Sequence, residues 1–514
     1  MSEVQEDFEV SFRSIFSARA EQLLRLARYV NEQGGDRSCF TRMVLGDLLC
    51  EAERVEELLD GYGARHNQRW HALRQLVAPI KLFSNVSYTL IHILRFLPLY
   101  RLMPVEPDIR AATHRTLDFT CTTVGRALLR FWEQARKLDV PLPSENPVAA
   151  QFSEELPDGR LPANRPAEKV ASPEESVVYL STAFLNLSEE SSFLHIARNT
   201  GNHDYEDLVP DPFSEERLRH LEESFHNLQA LYDTRISDSN VENLDDDLPV
   251  LRGHISVVFH LLETATAMVH YCERHLPEFS NKAGSTIEGI VDPDELLEAL
   301  VNYSVAYADR YILEARSLCH RMLRRYSVTG RVTVPVPRYR GFHVRPSTLI
   351  AKIVNHYGSE VEMRIDDESY DASMTFDLFR ANEKLNARKK RQLANEVSKL
   401  RLDQEQEARE DIPATVRKAV QLLFERNQIV IYERDVTVED MQQWQDESFN
   451  EFLVRCLTQL LAQGKIDIQL DMTATFIGDR RVLEDIKLLA ETNYGEDDFG
   501  NNLPLPNQLA YLRK

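Results

Sequence analysis

A chain of 514 residues is longer than one hydrophobic core usually fills, so several structural units are expected. Its 82 acidic against 60 basic residues leave a formal charge of -22, which argues against a nucleic-acid binder, whose affinity comes largely from basic surface. Six cysteines without a Cys-x-x-Cys pair, and an acidic start without a signal-peptide apolar region, are expected of a reducing, cytoplasmic setting.

Phe8, Phe12, Ile15, Phe16, Leu23, Leu26, Ala27 and Val30 recur at helical spacing and predict a long first helix, closed by Gly34-Gly35. Further helical patterns cover 40–59, 66–99 and 111–138. The most apolar window, 76–103, is interrupted by Lys81, His92 and Arg95, so it reads as a buried bundle helix rather than a membrane span. Residues 1–140 are therefore expected to form an all-helical bundle. Residues 141–174 are rich in proline and polar side chains and read as a linker. Helical patterning resumes over 175–329 as a second bundle segment. The stretches 56–94 and 222–262 echo one another, each ending in an Ile/Val-Ser helix with a histidine; an internal duplication and two unrelated amphipathic helices both account for this.

From residue 330 the pattern changes. Val332, Val334 and Val336 alternate as a strand, with Pro335 marking an edge or bulge. Next comes Arg340-Gly341-Phe342-His343-Val344-Arg345-Pro346-Ser347: a glycine turn, a histidine at a helix start, and an arginine and a proline in the first turn. The first amides of a helix have no intrahelical acceptor and carry the positive end of its dipole, so this end suits an anion. Arg345 adds a permanently charged planar fork, and Pro346 has no amide to lose. Leu349, Ile350, Ile353, Val354 and Tyr357 continue that helix, which Gly358 ends. Val361, Met363 and Ile365 form a second strand, Asp366-Asp367 a turn, 369–372 a third strand and 375–380 a short helix.

A highly charged, mostly solvated helix is expected over about 381–410, then a helix from Pro413 to Phe424 and a candidate strand near 428–432. Another helix runs from Thr437 to Gly464. Ile466, Ile468, Leu470 and Met472 then alternate, and Asp479 caps a helix carrying Val482, Leu483, Ile486 and Leu489. Residues 495–514 read as an irregular tail.

The loop around His343 resembles the active site of HPr, the histidine phosphocarrier of the bacterial sugar phosphotransferase system, whose pattern is Gly-aliphatic-His-x-Arg-Pro-Ala; here Phe342 takes the aliphatic place and Ser347 the last. The strand, helix, strand, strand, helix order after it is similar too. The resemblance implies a multidomain protein in which the helical N-terminal region precedes an α+β open-faced sandwich, an antiparallel sheet with helices on one face, over 330–494. A helical insertion would occupy about 387–463, with 466–472 as the fourth strand; if 429–432 is that strand instead, the insertion shrinks.

By the same resemblance, His343 accepts a phosphoryl group from phospho-enzyme I, with Arg345 and the amides of Val344 and Arg345 binding its oxygens. Phe376 and Phe379 would belong to a partner-docking surface, beside the acidic Asp371 and Asp377. Met374 stands at the family's regulatory serine, with Ser373 and Thr375 out of register. No metal or cofactor is required. The implied partners are an enzyme I-like phosphodonor and a downstream protein acceptor or regulated partner, with no nucleic acid and no membrane span.

The expected role is a cytoplasmic, bacterial, regulatory phosphocarrier rather than a turnover enzyme; the rival is a non-catalytic interaction scaffold with a degenerate HPr-like fold. A helical metalloenzyme is the weaker third reading. It would use Glu223-x-x-His226 facing His260 and Glu263, but a di-iron bundle needs a second Glu-x-x-His motif, and none is present.

Overall fold

The computed structural model describes residues 3–145, 172–198, 205–237, 239–276, 289–404, 411–433, 444, 446–468 and 471–513; most of the expected proline-rich linker lies outside them. The chain divides into two compact units, residues 1–322 and 323–514.

The first unit is built from α1 (Glu3–Glu32), α2 (Arg42–Gly61), α3 (His71–Phe96), α4 (Ile109–Lys137), α5 (Pro173–Glu190), α6 (Glu215–Arg235), α7 (Asp247–His275), α8 (Pro293–Glu298), a π-helical turn (Ala299–Val305) and α9 (Ala306–Tyr326). Side chains close the open amides at several starts: Thr41 accepts from the Val44 amide, Asp108 from that of Arg110 and Ser214 from that of Arg217.

The two helical halves, expected as separate segments, share one core. Helices α3 and α7 pack antiparallel, Phe83 meeting Tyr271 at 5.1 Å and His92 meeting His260 at 4.5 Å between ring centroids. Each of these helices also hydrogen-bonds through a buried hydroxyl pair, Ser87 to Thr120 at 2.8 Å and Thr264 with Ser304 at 2.9 Å. The echo between 56–94 and 222–262 thus corresponds to two helical hairpins, α2–α3 and α6–α7, that meet along their second helices. Among the described residues two helices are long and apolar enough to cross a membrane, and they are this central pair, with 67% and 72% of their most apolar windows buried.

The second unit combines helices with an antiparallel sheet. Its main elements are β1 (Thr329–Pro335), α10 (Val344–Tyr357), β2 (Val361–Ile365), β3 (Glu368–Asp371) and α11 (Thr375–Leu400). They are followed by α12 (Ile412–Glu425), β4 (Val430–Ile431), α13 (Phe449–Ala462), β5 (Ile466–Asp467), β6 (Thr473–Asp479) and α14 (Arg480–Glu491). Four strands form one sheet in the order β1-β6-β2-β3, every neighbour antiparallel. Pro335 is tolerated because β1 is an edge strand. Val334, Val361, Met363, Ile365, Ala474 and Phe476 turn one face of the sheet into a core shared with Ile350, Ile353 and Val354 of α10, Leu378 of α11 and Val482 and Ile486 of α14. The alternate residues Glu362 and Arg364 face outward and pair with each other at 2.7 Å.

Three expectations need correction here. Residues 466–467 and the alternative strand near 429–432 do not complete the sheet; they pair with each other, Val430 opposite Asp467 and Ile431 opposite Ile466, whereas Met472 borders the sheet, its carbonyl accepting from the Val336 amide at 2.9 Å, and 469–470 lie outside the described residues. The fourth strand is 473–479, which the apolar pattern hides because its inward positions include the small residues Ala474 and Gly478. Gly478 is required: a β-carbon there would lie 2.6 Å from the Glu360 carbonyl oxygen.

Second, the short helix 375–380 and the charged helix after it are a single helix, α11. Leu378, Ala381, Leu385, Lys389, Leu393 and Val397 line one buried stripe along it. Its first half belongs to the sheet core. Its second half joins Val416, Leu423, Phe452, Leu457, Ile466 and Ile468 in a second core.

Third, the irregular tail is part of the fold: Leu505, Leu509 and Leu512 lie in the sheet core, the last two on a 3₁₀ turn, Asn507–Arg513.

Candidate functional site

The loop between β1 and α10 is held from three sides. Arg340 and Gly341 both have positive φ, 55° and 64°, and a β-carbon on Gly341 would run into the Asn382 side-chain amide on α11, so glycine is favoured there. The Arg340 amide donates to Asp467 Oδ2 at 3.1 Å, and Asp467 is itself paired with Lys389 at 2.7 and 2.8 Å, both side chains almost fully buried. Tyr339 meets the His343 ring edge-on at 5.4 Å and Tyr432 at 4.9 Å. Phe342, fully buried, packs edge-on against Tyr494, whose hydroxyl donates to the Pro335 carbonyl at 2.6 Å.

On this base His343 is the N-cap of α10, with extended backbone (φ -77°, ψ -169°) and no side chain capping the amides that follow. The amides of Val344 and Arg345, the first two of the helix, therefore point out of it without an intrahelical acceptor. The Ser347 hydroxyl donates to the Phe342 carbonyl at 2.8 Å and fixes the first turn. The imidazole is 22% exposed: Nδ1 lies 3.2 Å from the Gly341 carbonyl oxygen, and Nε2 lies 3.2 Å from Oε1 of Glu496. Arg345 Nε is 4.0 Å from the same oxygen and, though buried, has no hydrogen-bond partner.

Glu496 is the residue that sequence reasoning missed. Its side chain is only 5% exposed, and its carboxylate faces both the histidine and the arginine. A tight turn delivers it there: Asn493, Tyr494 and Gly495 all have positive φ, and a β-carbon on Gly495 would lie 2.8 Å from Leu505 and 3.3 Å from Arg345 Nη2. The buried Tyr494 is the one signal in the sequence, an aromatic residue inside a run of turn formers.

Of the other predicted site residues, Val344 opens α10 itself and the rest lie at or near the start of α11. Val344 is 68% and Phe376 69% exposed, Met374 is exposed as the N-cap of α11, and Phe379 is half-buried. Of the two acidic neighbours, Asp377 is engaged by Arg380 at 2.9 Å and by the Asp371 amide at 3.2 Å. Asp371 accepts from the Ser373 hydroxyl at 2.6 Å.

Three of the four residues weighed for a di-iron site have other contacts. His260 Nδ1 lies 3.2 Å from Glu263 Oε2, and the His226 ring packs on Phe259 at 5.2 Å. Among the described residues no group of three or more His, Cys, Asp or Glu is placed to hold a metal ion. Asp309, buried on α9, holds His195 Nδ1 and Arg198 Nε each at 2.5 Å, an internal ion pair that fastens the 3₁₀ turn Ser191–Arg198. No family model matches the chain, and no curated protein or solved structure matches it either.

Proposed function

We propose that residues 330–494, within the compact unit 323–514, form an HPr-like domain and that His343 accepts a phosphoryl group from an enzyme I-like phosphohistidine donor, making the protein a cytoplasmic, bacterial, regulatory phosphocarrier. The observation that carries the reading is the constellation at the start of α10: a part-exposed imidazole at the N-cap, two helix amides open beyond it and a guanidinium in the first turn. With α12, β4, α13 and β5 set aside as inserted between α11 and β6, the remaining order β1, α10, β2, β3, α11, β6, α14 supports the reading, since the family runs strand-helix-strand-strand-helix-strand-helix.

In the transfer, one ring nitrogen of His343 attacks phosphorus, its N–P bond forms as the donor's N–P bond breaks, and the proton released from the other nitrogen ends on the departing imidazole. The phosphoryl oxygens gather charge that the Val344 and Arg345 amides and the Arg345 guanidinium are placed to offset. No cofactor enters this step. Val344, Phe376 and Phe379 supply the apolar surface for the donor, and for the downstream acceptor or regulated partner. A phosphate adds roughly -1.5 to -2 charges at one point, enough to make or break a protein contact. A carrier tethered to a large helical unit fits such control better than free shuttling.

The rival reading, a scaffold that keeps the fold without transfer, is favoured by one observation: Glu496 already occupies the ground between His343 and Arg345. Incubation with phosphoenolpyruvate and enzyme I, followed by intact-mass and acid-lability analysis, separates the two. The carrier reading expects one acid-labile phosphate, absent from His343→Ala; the scaffold reading expects none.

A further inference from the structure

Given the phosphoryl-acceptor reading of His343, we infer that Glu496 is an internal stand-in for the phosphoryl group: it closes the site in the resting protein and is expelled, with the hairpin that carries it, when His343 is phosphorylated. A single carboxylate oxygen reaches His343 Nε2 at 3.2 Å and lies 4.0 Å from Arg345 Nε, the ground a phosphoryl oxygen must enter. An almost fully buried carboxylate and a phosphoryl group cannot both keep that place, because like charges a few ångströms apart with little water between them repel strongly.

The segment bearing Glu496 is built as a strap along α10. At one end Glu496 sits on the helix start. At the other, the Tyr511 hydroxyl donates to Asp485 Oδ2 at 2.6 Å, and its ring stacks on His356, in the last turn of α10, at 4.0 Å. Between them residues 496–502 form a closed hairpin. Glu496 bridges to Asn502, the Leu503 amide donates to the Gly495 carbonyl at 2.8 Å, and Asp497 accepts from the Phe499 and Asn501 amides at 2.9 and 2.8 Å.

The strap's outer end is fixed by Tyr511 and by the buried Leu505, Leu509 and Leu512, so expulsion of Glu496 moves the hairpin rather than the whole segment. The hairpin tip rests on two aromatic residues. Gly500 lies so close to Tyr339 that a β-carbon would approach its ring to 2.4 Å, and Phe499 meets Tyr432 at 6.3 Å. Tyr432 follows β4 in the insertion, and Tyr339 also touches His343. Release of the hairpin therefore uncovers Tyr339 and Tyr432 as an aromatic surface present only in the phosphorylated protein. The insertion acquires a role in this scheme: it carries part of the surface that reports the state of His343.

The test uses the full-length protein and phosphoramidate, a chemical phosphoryl donor that needs no enzyme I; its P–N bond breaks and ammonia leaves. Labelling of His343 is followed by mass spectrometry in the wild type, Glu496→Gln, Glu496→Ala and Glu496→Asp, with His343→Ala as the blank. Glu496→Gln and Glu496→Ala, which lose the charge, are expected to label at least tenfold faster than the wild type, while Glu496→Asp stays slow. Hydrogen exchange over 493–503 is expected to rise when the wild type is phosphorylated. Equal or slower labelling of Glu496→Gln and Glu496→Ala, unchanged exchange over 493–503 after phosphorylation, or no labelling of His343 in any variant would each overturn the proposal. Faster labelling of Glu496→Gln by phosphoramidate, with no labelling of any variant by enzyme I, would support the gate while removing the enzyme I-like donor.

Discussion

Asp467→Ala is the substitution with the largest effect to be expected on the His343 loop, although Asp467 touches neither His343 nor Arg345. Its carboxylate takes Lys389 Nζ at 2.7 and 2.8 Å, the Arg340 amide at 3.1 Å and the Ile468 amide at 2.7 Å. At an effective dielectric constant of ~20 the ion pair alone is worth roughly 6 kcal/mol of gross attraction, offset by several kcal/mol for taking each charge out of water. The pair is thus near break-even, but removing one partner is not: Lys389, 6% exposed, is left as an unpaired ammonium beside two unmet amides. The expected cost is about 3–5 kcal/mol. The loss falls on the joint of α11 where the sheet core gives way to the second core, and on Arg340, whose left-handed backbone loses its anchor. Hydrogen exchange of the full chain, read on peptides covering 336–345 and 460–468, measures this locally. The double variant Lys389→Met/Asp467→Leu is expected to recover most of the protection. A cost below about 1 kcal/mol for Asp467→Ala, or a double variant as unstable as the single, would refute the reasoning.

In the helical unit, burial holds the His254 imidazole down to about 4; Nδ1 sits on the Val250 carbonyl at 2.9 Å and Nε2 has no partner. Above the unfolded value near ~6.5 the ring is neutral in both states; as pH falls from there toward the folded value the unfolded chain gains the proton first, so stability drops, by up to about 3 kcal/mol. His254→Phe, which keeps a ring against Tyr311, should lose that share of the acid sensitivity, measured as the difference from wild type in denaturant midpoints at pH 7 and pH 4.5. A difference that does not change with pH contradicts the assignment. Phe376→Asp should slow labelling by enzyme I tenfold or more and leave labelling by phosphoramidate unchanged, because Phe376 is exposed and the proposed reading gives it a place in donor docking and none in the chemistry. Equal slowing of both would place it in the site itself.

Much of the fold near His343 was legible because local rules and tertiary packing agree there. Gly341 and Gly358 mark the limits of α10, and its apolar face and the alternation of Val361, Met363 and Ile365 follow directly from periodicity. Periodicity failed where burial is achieved without apolar bulk. The strand 473–479 was missed because two of its inward positions are alanine and glycine, and Ile466 and Ile468, which open the stronger alternation before it, serve a different core. The continuity of α11 was missed because its buried stripe passes through Lys389, which reads as solvated until Asp467 is brought to it. Glu496 was missed for the same reason. A carboxylate among Gly, Asp and Asn has the look of an exposed turn, and only a contact across the whole domain shows it buried against His343 and Arg345.

On the proposed reading His343 carries a phosphoryl group in the working protein. The most direct measurement is phosphopeptide mapping of the protein recovered from its own cells under alkaline conditions, which preserve phosphohistidine, with ordinary HPr from the same lysate as the control. Acid-labile phosphate is expected on the peptide containing His343 and is lost in His343→Ala. Phosphorylated HPr in the lysate with His343 unmodified would contradict it.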